Sequence, residues 1–314
     1  MKKSITLFFL AFVFAACGQF TTNVGTPRAL TNYSFRTNSA TNRALSNVGF
    51  ANYLDTNVVA FASRAGLTNS GDFKAVIALN SLVRQLKAAN LWTNFYALYP
   101  FCGSTSNSMA ENLVATNYAI TWRGTNTFNA YGVHSDGSSG YGDSGFNPST
   151  VGVLTNSFHL YSWVSGTNQE AYAAAAVISA TTTNLPSQVR TTRLARDHDL
   201  STFLVSSTNG DTGYLSDYGY FGGNLIGAIS GTNTFFAYDG LYKSNSIPAP
   251  VFFPNTNLFI LADTTPNTGV ARTFLPSAES VRAASIGRGM TTNQMATYFA
   301  IMNRYQRLLS RDTP

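Results

Sequence analysis

The sequence predicts a mostly β chain, an antiparallel sandwich or jelly roll, with a helical segment before it and a helix after it. Three observations carry that expectation. From Trp92 onward, short apolar or alternating runs are separated by Gly, Asn, Asp, Ser and Pro at the spacing of a sandwich. FFAYDGLYKSN sets Asp239-Gly240 between two such runs, the two-residue turn whose backbone matches the right-handed twist of paired strands. On both flanks the apolar period changes from two to between three and four, which is the helical period.

The elements follow in chain order. A short helix is expected over Thr56–Arg64. Between Asp55 and Trp92, Phe73, Ile77, Leu79, Leu82, Val83, Leu86 and Leu91 then recur at three- and four-residue steps. Ser70 and Asp72 suit the start of that helix and Asn90 its end. Strands are expected at Phe95–Phe101, Tyr118–Trp122, Phe158–Val164, Ala171–Ile178, Thr202–Ser206, Asn224–Ile229, Thr234–Tyr238, Leu258–Ala262 and Val281–Ile286. Trp122 and Trp163 fall in these strands and are read as core. Thr291–Leu309 closes the chain as an amphipathic helix. Thr291 or Thr292 caps it, and Met295, Tyr298, Phe299, Met302, Tyr305 and Leu309 share one face, a core-packing stripe.

The N-terminus reads as a targeting signal. Lys2 and Lys3 precede an apolar run from Ile5 to Ala16 that is too short for a comfortable bilayer span, and small residues follow. Phe14-Ala15-Ala16-Cys17-Gly18 resembles the bacterial lipobox, with Phe14 in place of its usual Leu. That resemblance implies cleavage before Cys17 and lipidation of Cys17, with two or more acyl chains giving a stable anchor. Gly18 in place of Asp points to an outer-membrane or cell-surface location. The expected organisation is a signal at 1–16, a Thr/Asn/Ser-rich tether at 17–50, a helical segment at 51–92, and the sandwich with its final helix at 93–314.

Composition bounds the function classes. The +6 formal charge falls to +4 once Lys2 and Lys3 leave, and charged residues make up 11% of the chain, against roughly a quarter in ordinary domains. The basic residues are scattered, with mild clusters at Arg190–Arg196 and Arg304–Arg311, so no nucleic-acid partner is expected. Two cysteines, Cys17 and Cys102, provide no disulfide framework, so the fold must rest on an apolar core. Thr-Asn dipeptides recur along the chain at irregular spacing, suiting strand–turn junctions rather than a repeat.

WTNFYALYPFCGS, SDGSSGYGDSGFNPST and VRAASIGRGMTTNQMATYFAIMNRYQRLLSR together resemble the LamG-like, concanavalin A-like jelly-roll family of phage and bacterial surface proteins. They occur in the family's order and span about residues 73 to 311. The resemblance implies two antiparallel sheets face to face with the last helix docked against them. It aligns Cys102 with a Val, implying a small buried hydrophobe, and Ser144 with a Thr.

Ser144 lies in GDSG, the spelling with which chymotrypsin-like proteases present their nucleophile. A nucleophilic Ser requires a His within hydrogen-bond reach and an orienting carboxylate. His134 is ten residues away in the same Gly/Ser-rich loop, His159 opens a strand, and His198 sits in the polar run RDHD. Phe146 replaces the Gly that would follow the protease motif. Ser144 is therefore read as a turn or strand-edge hydroxyl.

Glycosidases on this fold need paired carboxylates at fixed separation. Glu111, Glu170 and Glu279 are far apart in sequence and outside any alternating pattern; pairs formed across strands, such as Glu170 with an Asp, stay open. The lyase patterns are missing. No enzyme activity is expected, a divergent hydrolase or lyase being the weaker alternative. No His/Cys spacing fits zinc, and Asp197-His198-Asp199 reads as a solvated turn. No cofactor is expected beyond calcium, for which Asp136 and Asp143 in one loop, or Asp211 and Asp217 in GDTGYLSDYGYFGG, supply suitable oxygen ligands.

For a sugar site, exposed aromatic faces should stand beside amide and carboxylate groups. Tyr214, Asp217, Tyr218, Tyr220 and Phe221 are the first candidates, and Tyr131 and Tyr141 the second. The expected function is non-catalytic binding of a glycan or surface partner. The alternative is a structural, adhesion or phage-particle protein that uses the sandwich only for packing.

Overall fold

In the computed structural model the described residues are 53–154, 156–165, 175–185, 188–196, 200–207, 214–218, 223–238, 241–246, 253–264, 271–272 and 280–311. The signal and tether expected at 1–50, with Cys17, lie outside them, as do Glu170, Glu279, Asp197-His198-Asp199 and Asp211.

Two helices come first, α1 (Thr56–Arg64) and α2 (Phe73–Ala88). Asp55 caps α1, its side chain accepting from Asn57 N at 3.0 Å. A 3-10 turn over Ser70–Asp72 leads into α2, and the Asp72 carboxylate accepts from Asn69 N rather than capping the helix. Asn90 ends the segment in the left-handed conformation, φ 55°, which Asn tolerates.

One antiparallel sheet contains eight strands: β1 (Phe95–Tyr99), β3 (Asn126–Asn129), β4 (Gly132–Ser135), β6 (Ser157–Ser165), β11 (Gly223–Ser230), β12 (Asn233–Tyr238), β13 (Leu241–Ser246) and β17 (Ser280–Gly287). Its order is β13-β12-β11-β6-β17-β4-β3, with β1 also paired to β17. The other large sheet runs β10 (Tyr214–Tyr218), β9 (Leu200–Ser207), β8 (Gln188–Arg196), β7 (Ala175–Leu185), β14 (Phe259–Ile260), β5 (Tyr141–Asp143), β2 (Thr121–Arg123). A two-stranded ribbon, β15 (Asp263–Thr264) with β16 (Ala271–Arg272), completes the strands among the described residues. The expected hairpin is present: Tyr238 pairs with Leu241, the register a two-residue connection requires, although Asp239 and Gly240 lie outside the described residues.

Alternation along β6 shows how the layers stack. Phe158, Leu160 and Val164 enter the core between the two sheets, with Tyr99, Val133, Leu258, Ile260 and Ile286. Tyr161 and Trp163 point the other way, into a second core that holds α1, α2 and the final helix α5 (Thr292–Leu308). With both faces covered, β6 (SFHLYSWVS) is buried without a break from Phe158 through Val164, polar His159 and Ser162 included. The eight-stranded sheet is thus the middle layer, and α1 and α2 share their core with α5. Trp163 is fully buried as expected, whereas Trp122 is half-buried against the inter-sheet core.

α5 begins with a reciprocal capping box between Thr291 and Gln294. Its Met295, Tyr298, Phe299, Met302 and Tyr305 are buried, Leu309 packs against the same core, and Ile301 and Gln306 join the buried face. Polar side chains register the helix on the sheet. Tyr161 OH donates to Asn224 Oδ1 at 2.8 Å, and Asn224 Nδ2 donates to Asn303 Oδ1 at 2.7 Å.

Several elements depart from expectation. β1 stops at Tyr99, because Pro100 cannot donate to the ladder and Phe101 takes φ 39°. β8 was expected as a loose basic cluster, yet Arg190–Arg196 is a strand interleaved with Val, Thr and Leu. β3, β4, β5 and β10 are not among the expected strands, each being too short or too polar to show a period. α3 (Ser106–Ala110) and α4 (Pro148–Val151) are single turns capped by Thr105 and Asn147.

Candidate functional site

The segment 141–144 decides two questions at once. Gly142 faces inward, where a side chain would meet Ile120 Cγ2 at 2.6 Å and the Trp122 ring at 2.7 Å. Strand alternation therefore sends Tyr141 and Asp143 to the outer face of the seven-stranded sheet. Ser144, just past the strand, is completely buried. Its Oγ donates to the Leu258 carbonyl at 2.6 Å and accepts from Phe146 N at 3.1 Å. The ring of His159 is engaged elsewhere, with Arg288 O at 2.6 Å and Ser285 Oγ at 3.1 Å. GDSG here is a turn tied to the chain before β14.

On the outer face, Asp143 stands directly between Thr121 of β2 and Phe259 of β14. Arg123 opposes Tyr141 in the next row. Phe259 and Tyr141 are diagonal neighbours whose rings meet edge to face, with centroids 5.8 Å apart and planes at 71°. Both rings are half-buried, and neither belongs to either apolar core. The Asp143 carboxylate is oriented through Oδ1, which accepts from Gly145 N and Asn257 Nδ2, each at 2.9 Å. Asn147 Nδ2 donates to Asn255 Oδ1 at 3.0 Å, linking the loop after β5 to the loop before β14. Thr121 and Arg123 are exposed. The result is a solvent-facing aromatic pair beside a fixed carboxylate, several amides and a guanidinium.

The other expected residues fall elsewhere. Tyr131 is 57% exposed at the β3–β4 turn, its backbone N–H donating to Asn129 Oδ1. The backbones of Tyr214, Asp217 and Tyr218 form β10, the edge of the seven-stranded sheet opposite β2. Their side chains, with Tyr220 and Phe221, lie outside the described residues. Strand order thus places Tyr141 and the Tyr214–Tyr218 group near opposite edges of one sheet.

Asp136 is exposed, and its carboxylate is occupied by its own loop. Oδ1 accepts from the backbone N–H groups of Ser138, Ser139 and Gly140, and Oδ2 from the hydroxyls of Ser138 and Ser139. The Ser139 hydroxyl foremost, with those backbone donors, holds the carboxyl well below the usual range. Among the described residues no cluster of three or more His, Cys, Asp or Glu side chains could hold a metal ion. Glu111 forms a salt bridge with Arg64, Nε to Oε2 at 2.8 Å, tying α1 to the segment after α3.

Phe259 and Asn257 escaped the sequence reading. The alternation of Leu258, Phe259 and Ile260 marks Phe259 as facing away from the core. Nothing in the linear pattern shows that β14 pairs with β5.

No protein-family model matches the chain, and no curated protein matches it. Among similar solved structures is a mutant of Trypanosoma rangeli sialidase displaying trans-sialidase activity, at 11% identity and TM-score 0.46 over 77% of this chain and 40% of that one. Trypanosoma rangeli sialidase in complex with sialic acid matches at 9% identity and TM-score 0.44, over 78% and 41%. A botulinum neurotoxin serotype D/C binding domain matches at 9% identity and TM-score 0.45, over 67% and 53%. The chain spans about two fifths of the length of those sialidases and about half of that toxin domain.

Proposed function

We propose that this chain is an exported surface protein, lipid-anchored at Cys17, whose LamG-like sandwich binds a glycan without chemical turnover. The observation that carries the reading is the Tyr141–Phe259 ring pair on the outer face beside the tethered carboxylate of Asp143. Sugars present apolar C–H faces to aromatic rings and hydroxyls to carboxylates and amides, and this face supplies both partners. Across β2, β5 and β14, Asp143 is the one carboxylate, whereas glycoside hydrolysis uses two at defined separation. Calcium stays in the proposal as an accessory, to be read from the effect of EDTA.

The test is a polysaccharide-binding screen on the full-length chain, with and without EDTA. Tyr141→Ala should weaken saturable binding at least tenfold without changing the unfolding midpoint. Binding that survives Tyr141→Ala and is lost with Tyr218→Ala would move the site to β10. No binding across a broad panel would overturn the glycan reading. Anchoring is tested separately: Cys17→Ser should abolish incorporation of labelled fatty acid.

A further inference from the structure

Resting on the glycan reading above, we infer that Asp143 makes the outer face selective for uncharged sugars carrying hydroxyl donors, against acidic ones. Among the described residues the fold uses one of its two carboxylate oxygens. Oδ1 takes both hydrogen bonds, from Gly145 N and Asn257 Nδ2, and Oδ2 makes none among the described residues. An ionised carboxylate is an acceptor without a donor, so Oδ2 can receive a sugar hydroxyl and cannot receive another carboxylate or a sulfate. A hydrogen bond to a charged acceptor is roughly twice as strong as a neutral one.

The position of this oxygen converts that preference into selectivity. Asp143 sits on the middle strand of three, directly opposite Phe259 and two residues along β5 from Tyr141, the ring partner of Phe259. A sugar lying on either ring brings its hydroxyls to the carboxylate, and an acidic substituent there meets a like charge. Arg123, the nearest cation by register, is exposed on the edge strand β2, where water screens its attraction for an anion. The carboxylate is half-buried and held by two donors, so it cannot swing away to relieve repulsion as a free surface Asp would.

The test is affinity electrophoresis of the full-length chain in gels containing laminarin or galactomannan as neutral probes, and alginate or dextran sulfate as acidic ones. The wild type should bind a neutral probe at least tenfold more tightly than any acidic probe. Asp143→Asn keeps an oxygen for Gly145 and Asn257 but turns the free position into a donor. It should weaken the neutral probe about tenfold and narrow the gap to the acidic ones, while Arg123→Ala changes the ranking less than threefold. Tyr141-dependent binding that prefers acidic probes, or a ranking untouched by Asp143→Asn, overturns this inference and leaves the glycan reading standing. Silence with every probe overturns both. Equal urea midpoints for the wild type and Asp143→Asn separate a binding effect from misfolding.

Discussion

Arg311 Nη2 donates a 2.6 Å hydrogen bond to the carbonyl oxygen of Phe101, joining the end of the final helix to the end of the first strand. The same guanidinium donates through Nε to Ala130 O and through Nη1 to Arg282 O and Gln306 Oε1. Four acceptors from four segments are satisfied by one buried side chain that faces no carboxylate in these bonds. Burial pushes its pKa down, yet the fork geometry matches the acceptors so well that the cation stays in place. Arg311→Leu leaves all four oxygens without this donor. It should cost at least about 3 kcal/mol in urea unfolding. Arg311→Lys should recover less than half of that loss, because a single ammonium cannot span the acceptors.

His159 makes stability depend on pH. Desolvation lowers its pKa from 6.5 to about 4, only partly offset by the bond to Arg288 O. As Nδ1 meets a carbonyl it must carry the proton, so Nε2 accepts from Ser285 Oγ, which in turn accepts from Tyr298 OH at 3.1 Å. The folded chain therefore needs the neutral ring. Stability is full above pH 6.5 and falls from there toward pH 4, where the unfolded chain takes up a proton that the folded chain refuses. The total loss is about 3 kcal/mol. Urea midpoints at pH 7, 5.5 and 4.5 should decline for the wild type, and the part of that slope owed to this residue should be absent in His159→Gln.

Ser144→Ala separates the turn reading from the protease spelling. Phe146 N would lose its acceptor, while Leu258 O would keep the Ser144 backbone N–H. The expected result is a loss of about 1–3 kcal/mol in stability with unchanged glycan affinity. Wild-type protein should take up no fluorophosphonate label.

Cys102 should behave as a hydrophobe rather than a reagent. It is fully buried, and desolvation raises its pKa to about 11. In a Cys17→Ser background, the native chain should show no reaction with a disulfide reagent at pH 8 and one equivalent in 6 M guanidinium.

Most of the architecture was readable in the linear pattern wherever local periodicity and tertiary burial agree. α1, the body of α2, α5 with its Thr291 cap, β6 and the β12–β13 hairpin register each carry their own signal in spacing, capping or turn chemistry. β8 was missed because Arg at every third position hid the alternation of a central strand. β3, β4 and β5 were missed because three or four residues are too few to show a period.

The candidate site divides along the same line. Tyr141 and Asp143 could be named from sequence, because an aromatic and a carboxylate in a Gly-rich turn are recognisable by type alone. That Gly142 lies under Ile120 and Trp122 follows from the β2–β5 pairing; that Asp143 is held by Asn257 and that the Tyr141 ring meets Phe259 follow from the β5–β14 pairing, a contact between segments far apart in the chain. The linear sequence determined a sandwich with helices at its flanks, since side-chain period and turn residues act over a few positions. Tertiary structure alone decided which hydroxyl was buried, how the Asp143 carboxylate was held and which rings faced water, because those properties depend on strands paired across the sheet.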